Sequence, residues 1–399
     1  MQRTCGFDDL ACFAGSEEQM QLLCSEVCEA SRKPGGDVAC NGCQQYPIQG
    51  ARWQCVELED FDLCDTCHGQ QHDTGLTFRC ISRLPERSAV VALCQALAKE
   101  MAQDMQELGA LLFDPRKMLG ELHELLLAPI AGALKGAGEV LIIPHDDLLA
   151  VPWAALFDKS RSSYLIQRHV VRVAPSLRVA RAAARAAASR CAQKESRAVV
   201  VGNPLPTKRY PLPGAQKEAE EVAQILAAAA GGAAAASGGG SALKLLLGKD
   251  ASTSRVLMAM EGAGHVHYAG HAEPESLLLA NKEELSMTQV QETVKLAPGA
   301  TAVLSGCETL LGQVRPEGTV GVARAFLMAG AGSVVASLWK VDDAATKELM
   351  CDFYKELYAS GARRTSTAGV AEAMQRAMLA GIRRGWDPSK WAAFLVYGA

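Results

Sequence analysis

Two apolar stretches each end in a glycine followed by a side chain suited to acyl chemistry. Gly264-His-Val-His-Tyr-Ala-Gly270-His271 is strand-like as far as Gly270 and then presents His271. Thr301-Ala-Val-Leu-Ser305-Gly306-Cys307-Glu-Thr309 follows the same plan, with Cys307 just beyond a Ser-Gly break. A thiol beside an imidazole is the least apparatus that acyl transfer needs: sulfur attacks, the imidazole moves the proton, and backbone N–H groups hold the oxyanion. On pattern alone, Cys307 reads equally as a nucleophile or as a buried structural thiol. His265 and His267 lie inside the strand and read as core.

A second constellation lies near the start of the chain. Cys40-x2-Cys43 and Cys64-x2-Cys67 are two chelating pairs, with Cys55 between them and His68, His72 and Cys80 after them. A two-residue gap lets successive sulfurs face one ion, and two such pairs complete a tetrahedral thiolate site for a structural Zn2+. The chain holds 14 cysteines, ten of them within residues 1–80. Met1 to Leu10 carries Arg3 and two aspartates and no apolar run, so the thiols read as metal ligands rather than disulfides, in an intracellular, cytoplasmic setting. Cys24 and Cys28, at i, i+4 on a helical-looking run from Ser16 to Arg32, read as a buried thiol stripe, with a metal pair as the other reading.

These residues need elements to position them. Beyond about residue 88 the chain alternates apolar β-like runs with helical patterns. The strand-like runs are Val140 to Ile143, Val170 to Val173, Ala198 to Val201, His265 to Tyr268, Thr301 to Leu304 and Ser333 to Leu338. The helical ones are Ser88 to Gly109, Lys117 to Leu134, Ser176 to Ser189, Ala215 to Ala230, Val320 to Ala329 and Ala344 to Ala359. Apolar strands alternating with helices predict an α/β fold whose mainly parallel sheet is flanked by helices on both faces. Neighbouring parallel strands joined by one crossover would set His271 beside Cys307, and ligands gather at the carboxyl ends of such strands. Ala227 to Ser241 reads as a flexible Ala/Gly insertion. The predicted organisation is a helical segment over 1–38, a small zinc-stapled module over 39–81 and the large domain over 90–399.

Composition narrows the function classes. Of 399 residues, 49% are hydrophobic and 21% charged, with a net charge of −4. That balance builds a sizeable core and gives no electrostatic reason to expect nucleic acid as a partner. No apolar run reaches the roughly 18 residues a membrane span needs.

The small module resembles the ZZ-type zinc finger: after Cys40-x2-Cys43 come Pro47-Ile-x-Gly-x-Arg-Trp-x-Cys55 and Asp60-Phe-Asp-Leu-Cys64-x2-Cys67. The resemblance implies a cross-braced pair of sites, with Cys40, Cys43, Cys64 and Cys67 around one zinc. Leu58 stands where the partner of Cys55 would be, and Gly75 and Leu76 where the last histidine would be. The second site is therefore degenerate, with Cys55 and His72 left and His68 or Cys80 as substitutes. Similar modules bind short peptides, often by a positively charged N-terminus. Glu57, Glu59, Asp60 and Asp62 either supply carboxylates for that contact or form a solvated acidic loop.

The large region resembles the CHAT domain, a caspase-like cysteine peptidase family related to separases. Leu141-Ile-Ile-Pro144 with Val151-Pro-Trp-Ala-Ala-Leu156, Val201-Gly-Asn-Pro204 and Leu212 to Ala219 carry the resemblance, as do His267-Tyr-Ala-Gly-His271, Leu304-Ser-Gly-Cys307-Glu-Thr309 and Gly321 to Asp343. It implies Cys307 as nucleophile, His271 as general acid/base, and the N–H groups of Cys307 and Ala272 as the oxyanion hole. The family usually has Gly where Ala272 stands, and a positive φ there would strain an alanine. Relatives often cut after a basic residue, which needs an acid in the S1 pocket. Asp146 and Asp147, after the first strand and expected at the same edge of the sheet as the dyad, are the S1 candidates, with helix capping as their other role. The resulting expectation is a cysteine endopeptidase acting on a protein or peptide substrate, with a finger that recruits substrate or partner. An inactive CHAT/ZZ adaptor and a thiol sensor are the other readings.

Overall fold

The structure, a computed structural model, describes residues 11–13, 39–44, 52–55, 62–64, 66–67, 78–81, 94, 96–97, 115–144, 146–191, 197–204, 210–229, 243–307, 309–310, 313–315, 318–359 and 367–398. The Ser16 to Arg32 run and the acidic residues Glu57, Glu59 and Asp60 lie outside the described residues.

In chain order, β1 (Ala11–Phe13) precedes the finger strands β2 (Arg52–Cys55), β3 (Asp62–Cys64) and β4 (Phe78–Ile81), which form a three-stranded antiparallel sheet. The large domain contributes β5 (Glu139–Ile143), the hairpin β6 (Phe157–Asp158) and β7 (Ser163–Tyr164), then β8 (Val170–Val173), β9 (Arg197–Gly202), β10 (Leu243–Leu247) and β11 (Ala263–Ala269). A small sheet of β12 (Ala272–Glu273), β13 (Ser276–Leu278) and β14 (Glu284–Ser286) comes next. After it lie β15 (Ala300–Ser305), the hairpin β16 (Gln313–Arg315) and β17 (Gly318–Val320), β18 (Ala331–Ser337) and β19 (Phe394–Gly398).

One nine-stranded sheet, ordered β1-β5-β8-β19-β18-β15-β11-β9-β10, carries the domain. Every residue of β11, β15 and β18 is buried, as strands covered on both faces require. The α/β class and the mostly parallel sheet flanked by helices are as the sequence predicts. The strands nevertheless form two blocks. From β18 through β15, β11 and β9 to β10, all pairings are parallel. β19, which the sequence reading lacks, pairs antiparallel with β18 and parallel with β8, and β8 is parallel to β5. β5 and β8 therefore begin at the edge where β11 and β15 end. β1, inside the 1–38 segment expected to be helical, is instead an antiparallel edge strand on β5.

Helices cover both faces. α1 (Pro115–Leu126) precedes β5, α2 (Leu177–Cys191) links β8 to β9, and α3 (Pro213–Ala229) links β9 to β10. α4 (Val322–Met328) joins β15 to β18, and α5 (Asp343–Ala359) and α6 (Thr367–Arg383) close the chain before β19. The β9–β10 and β15–β18 crossovers run in opposite directions along the sheet, so their right-handedness puts α3 and α4 on opposite faces; α5 packs on α3. The helix predicted over Lys117 to Leu134 breaks after Leu126, because Pro129 has no N–H to continue the ladder and enters a 3-10 turn. Among the described residues, no helix is long and apolar enough to cross a membrane.

Candidate active site

Ala269 at the end of β11 stands in register with Ser305 at the end of β15, and Gly270 N–H donates to Ser305 O over 3.2 Å. Both chains then leave the sheet through glycine. A Cβ on Gly270 would lie 2.8 Å from Pro204 Cδ and 2.9 Å from the Tyr268 hydroxyl. One on Gly306 would lie 2.8 Å from Gly270 O and 2.9 Å from Ala272 Cβ. These glycines serve close approach. The next residues, His271 and Cys307, are thus at equivalent positions on adjacent parallel strands, and both are half-buried. The structure brings the two sequence-derived residues to one edge.

Each is held by contacts that carry no local sequence signal. His271 Nε2 lies 2.7 Å from the backbone oxygen of Tyr210. A carbonyl only accepts, so Nε2 carries the proton and neutral His271 presents Nδ1 as its basic nitrogen. Tyr210 is brought there by Asn203, at φ 44°, whose N–H donates to Ala269 O and whose Oδ1 accepts from Leu212 N, each over 2.8 Å. The fully buried Tyr268 donates to the carbonyls of His271 and Leu278, 2.7 Å to the latter, and pins the turn that presents the imidazole. Burial pushes the Tyr268 phenol well above its ordinary range, and the nearby Cys307 adds to this. Only the position of Tyr268 in the sequence motif hinted at such a role.

Beyond Cys307 the chain is tied to β18. Thr309 Oγ1 donates to Leu304 O over 2.9 Å, Ser337 N–H donates to Thr309 Oγ1 over 3.0 Å, and the Ser337 hydroxyl donates to Gly306 O. In a trans peptide, C=O and N–H point in opposite directions. With its carbonyl drawn toward Ser337, the Gly306–Cys307 peptide aims Cys307 N–H away from β18. Ala272 lies in the extended strand β12 and outside the positive-φ set, so the strain considered for an alanine there does not arise. Leu278 N–H donates to His271 O, which makes His271/Leu278 the hydrogen-bonded pair. Ala272/Leu277 is then a non-hydrogen-bonded pair, with Ala272 N–H turned away from β13.

The remaining histidines of β11 are core residues. His265 Nε2 meets the Tyr358 hydroxyl at 3.0 Å, and His267 Nδ1 meets that of Tyr354 at 3.3 Å. His267 Nε2 is 3.1 Å from Glu218 Oε1, too poorly aligned for a hydrogen bond, with both side chains 1% exposed. Cys351 is structural too: burial, then the hydrogen bond to Glu221, pushes its thiol up to about 12. Asp342 caps α5 by accepting from Ala345 N at 2.7 Å, whereas Asp343 accepts from Gly214 N at 2.8 Å and ties α5 to α3.

Asp146 and Asp147 follow a strand of the opposite polarity. β5 runs opposite to β11 and β15, so its carboxyl end, which leads to Asp146 and Asp147, lies at the other edge of the sheet. The turn Asp146–Ala150 does pack against the β16–β17 hairpin, which comes after Cys307 in the chain. The two side chains lie outside the described residues.

In the finger, the sulfurs of Cys40, Cys43, Cys64 and Cys67 all lie within 4.8 Å of one another. Tetrahedral Zn–S bonds of about 2.3 Å set the sulfurs about 3.8 Å apart, and Cys43 Sγ and Cys64 Sγ are separated by 3.8 Å. A Cβ on Gly42 would lie 2.9 Å from Cys67 Sγ, so the knuckle turn requires glycine. Burial opposes ionisation of Cys40, but N–H groups of Cys64, Cys43 and Gly42 bring its thiol down to about 6. Hydrogen bonding to Cys43, then burial and the other sulfurs, push Cys67 up to about 12. A cation would let all four ionise together. The four thiols therefore fit structural zinc. The Cys55 side chain and His72, proposed for a second site, lie outside the described residues.

The CHAT domain family model matches residues 116–399, and that of the ZZ-type zinc finger matches 35–76. Tetratricopeptide repeat protein 28 of Homo sapiens is 26% identical over 341 residues, which cover 70% of this chain and 13% of that protein. The human E3 ubiquitin-protein ligase HERC2 is 34% identical over 110 residues, 27% of this chain and 2% of that protein. The chain thus spans only a small part of either relative. The crystal structure of the Arg specific cysteine proteinase gingipain R is similar over 75% of this chain and 69% of that one, with 11% identity and a TM-score of 0.43.

Proposed function

The chain belongs to the CHAT domain family, and on that premise we propose that it is a cysteine endopeptidase working through Cys307 and His271, with a ZZ finger that recruits a protein or peptide. The observation that carries the reading is the shared register of β11 and β15, with the bond from His271 Nε2 to Tyr210 O leaving Nδ1 as the base.

In the first step His271 Nδ1 takes the Cys307 proton and the sulfur bonds to the scissile carbonyl carbon. The oxyanion accepts from the N–H groups of Cys307 and Ala272, which the Ser337 and Leu278 contacts aim away from their own ladders. Collapse breaks the C–N bond, and Nδ1–H protonates the departing amine. A water then gives a proton to Nδ1 and its oxygen to the thioester; the acid leaves and the proton returns to sulfur. Zinc, held by Cys40, Cys43, Cys64 and Cys67, stabilises the finger. For a basic P1 residue, Asp146 and Asp147 serve as S1 acids only by way of the β16–β17 hairpin. A peptide N-terminus is the ligand proposed for the finger.

The test is intact-mass labelling of the zinc-loaded protein with lysine- and arginine-acyloxymethylketones, beside Cys307→Ala and His271→Ala. One adduct, absent from Cys307→Ala and slowed in His271→Ala, is expected. No adduct with these or with aliphatic probes would favour the adaptor.

A further inference from the structure

A concavity lies at the dyad's edge of the sheet, beside the starts of β5 and β8. It is a cavity of about 420 Å3, within the range of small-ligand sites. Its apolar wall is Leu127, Ala131 and Leu134, and its polar wall holds Lys135, Arg161 and Arg168 around Asp158.

Asp158 is what makes this wall more than a basic surface. Its side chain is only 4% exposed, and its oxygens are saturated. Oδ1 accepts from Ser160 N at 3.0 Å, Ser160 Oγ at 2.6 Å and Arg161 N at 3.2 Å. Oδ2 takes Arg161 Nη1 at 2.8 Å and Arg168 Nη2 at 3.2 Å. A carboxylate so engaged has no lone pair left for a ligand, yet it fixes two guanidiniums whose other donors are not used by it. Arg168 Nε is buried with no hydrogen-bond partner among the described residues. Lys135 is exposed and has no ion pair among them. Three cations thus line a pocket whose single lining carboxylate is fully engaged. The buried His123, 4.0 Å from Asp158, and His169, whose Nδ1 donates to Ala137 O over 2.7 Å, are held below their usual range by desolvation and add no charge near neutrality.

We propose that this pocket binds a small organic anion, a carboxylate or phosphate carried on an apolar body, with Arg161, Arg168 and Lys135 on the anion and Leu127, Ala131 and Leu134 against the body. The site is separate from the dyad and does not rest on the peptidase reading.

Isothermal titration of the zinc-loaded full chain at low salt, with phenyl phosphate, benzoate and benzyl alcohol, tests it. One-to-one binding of either anion is expected, weakening with added salt and about tenfold weaker in Arg161→Gln and in Lys135→Gln. Both side chains are exposed, so near-UV circular dichroism should show intact folds. The stronger of the two anions identifies the headgroup. The proposal is overturned by absence of binding at millimolar anion, by benzyl alcohol binding as well as the anions, or by anion binding that survives both substitutions. Loss of anion binding in Cys307→Ala would place the anion at the dyad and overturn it equally.

Discussion

His271 Nε2 lies 2.7 Å from the backbone oxygen of Tyr210, a residue whose own side chain stands out in solvent at 90% exposure. The imidazole is oriented by a peptide group, so no side-chain motif could announce the contact. The orienting group cannot be removed by truncating the residue that supplies it.

Tyr210→Ala therefore leaves alkylation of native Cys307 by iodoacetamide within about twofold of wild type, while His271→Ala slows it at least about tenfold. If Tyr210→Ala were as slow as His271→Ala, the ring rather than the carbonyl would be what sets the imidazole.

Ser337→Ala removes the hydroxyl that holds Gly306 O and leaves a buried carbonyl without that donor. We expect a stability loss of about 1–2 kcal/mol, read as a lower Tm, and acyloxymethylketone labelling about tenfold slower. A lower Tm with an unchanged labelling rate would make Ser337 purely structural.

The strands bearing His271 and Cys307, and the glycines that end them, are legible in the sequence because an apolar run broken by Gly is a local signal. The polarity of the sheet is not. Phe394–Gly398 is a short strand at the end of the chain, and its antiparallel pairing with β18 reverses β8 and β5 relative to β15. Nothing within Glu139–Ile143 records that reversal, so local pattern puts Asp146 and Asp147 at the wrong edge. Tyr210 acts through its backbone oxygen, so its identity carries no pattern, while the Ser337 hydroxyl and Asn203 Oδ1 act on backbone groups that only the fold brings to them.

Asp146→Asn with Asp147→Asn separates position from composition. If the β16–β17 hairpin brings their turn to the substrate, the double variant loses at least about tenfold of the preference for lysine and arginine probes over aliphatic ones. An unchanged preference removes both residues from S1.

Removing zinc should unfold the finger and leave the large domain folded. Titration with a strong chelator releases metal from the four thiolates, and Cys64→Ser lowers the zinc content by about one ion per chain. Labelling of Cys307 should continue after metal loss. A parallel loss of labelling would mean that the catalytic region depends on the finger's fold.

The Asp158 cluster sets a pH dependence whose sign is fixed by the direction of its shift. Burial opposes ionisation, but the Ser160 hydroxyl and Arg161, through guanidinium and backbone N–H, hold the carboxyl well below the ordinary range. A depressed folded value contributes stability that is present above the unfolded value of about 3.9 and is lost as pH falls through the folded value beneath it. Asp158→Asn should therefore cost about 2–3 kcal/mol at neutral pH, at the low end for a broken buried pair because Arg161 is largely exposed. The gap between wild type and variant, from urea melts, should stay level from pH 7 to about pH 5 and narrow below about pH 4. A gap that widened in acid would mean that Asp158 is protonated in the folded protein, and the paired guanidiniums would then lack the anion that holds them.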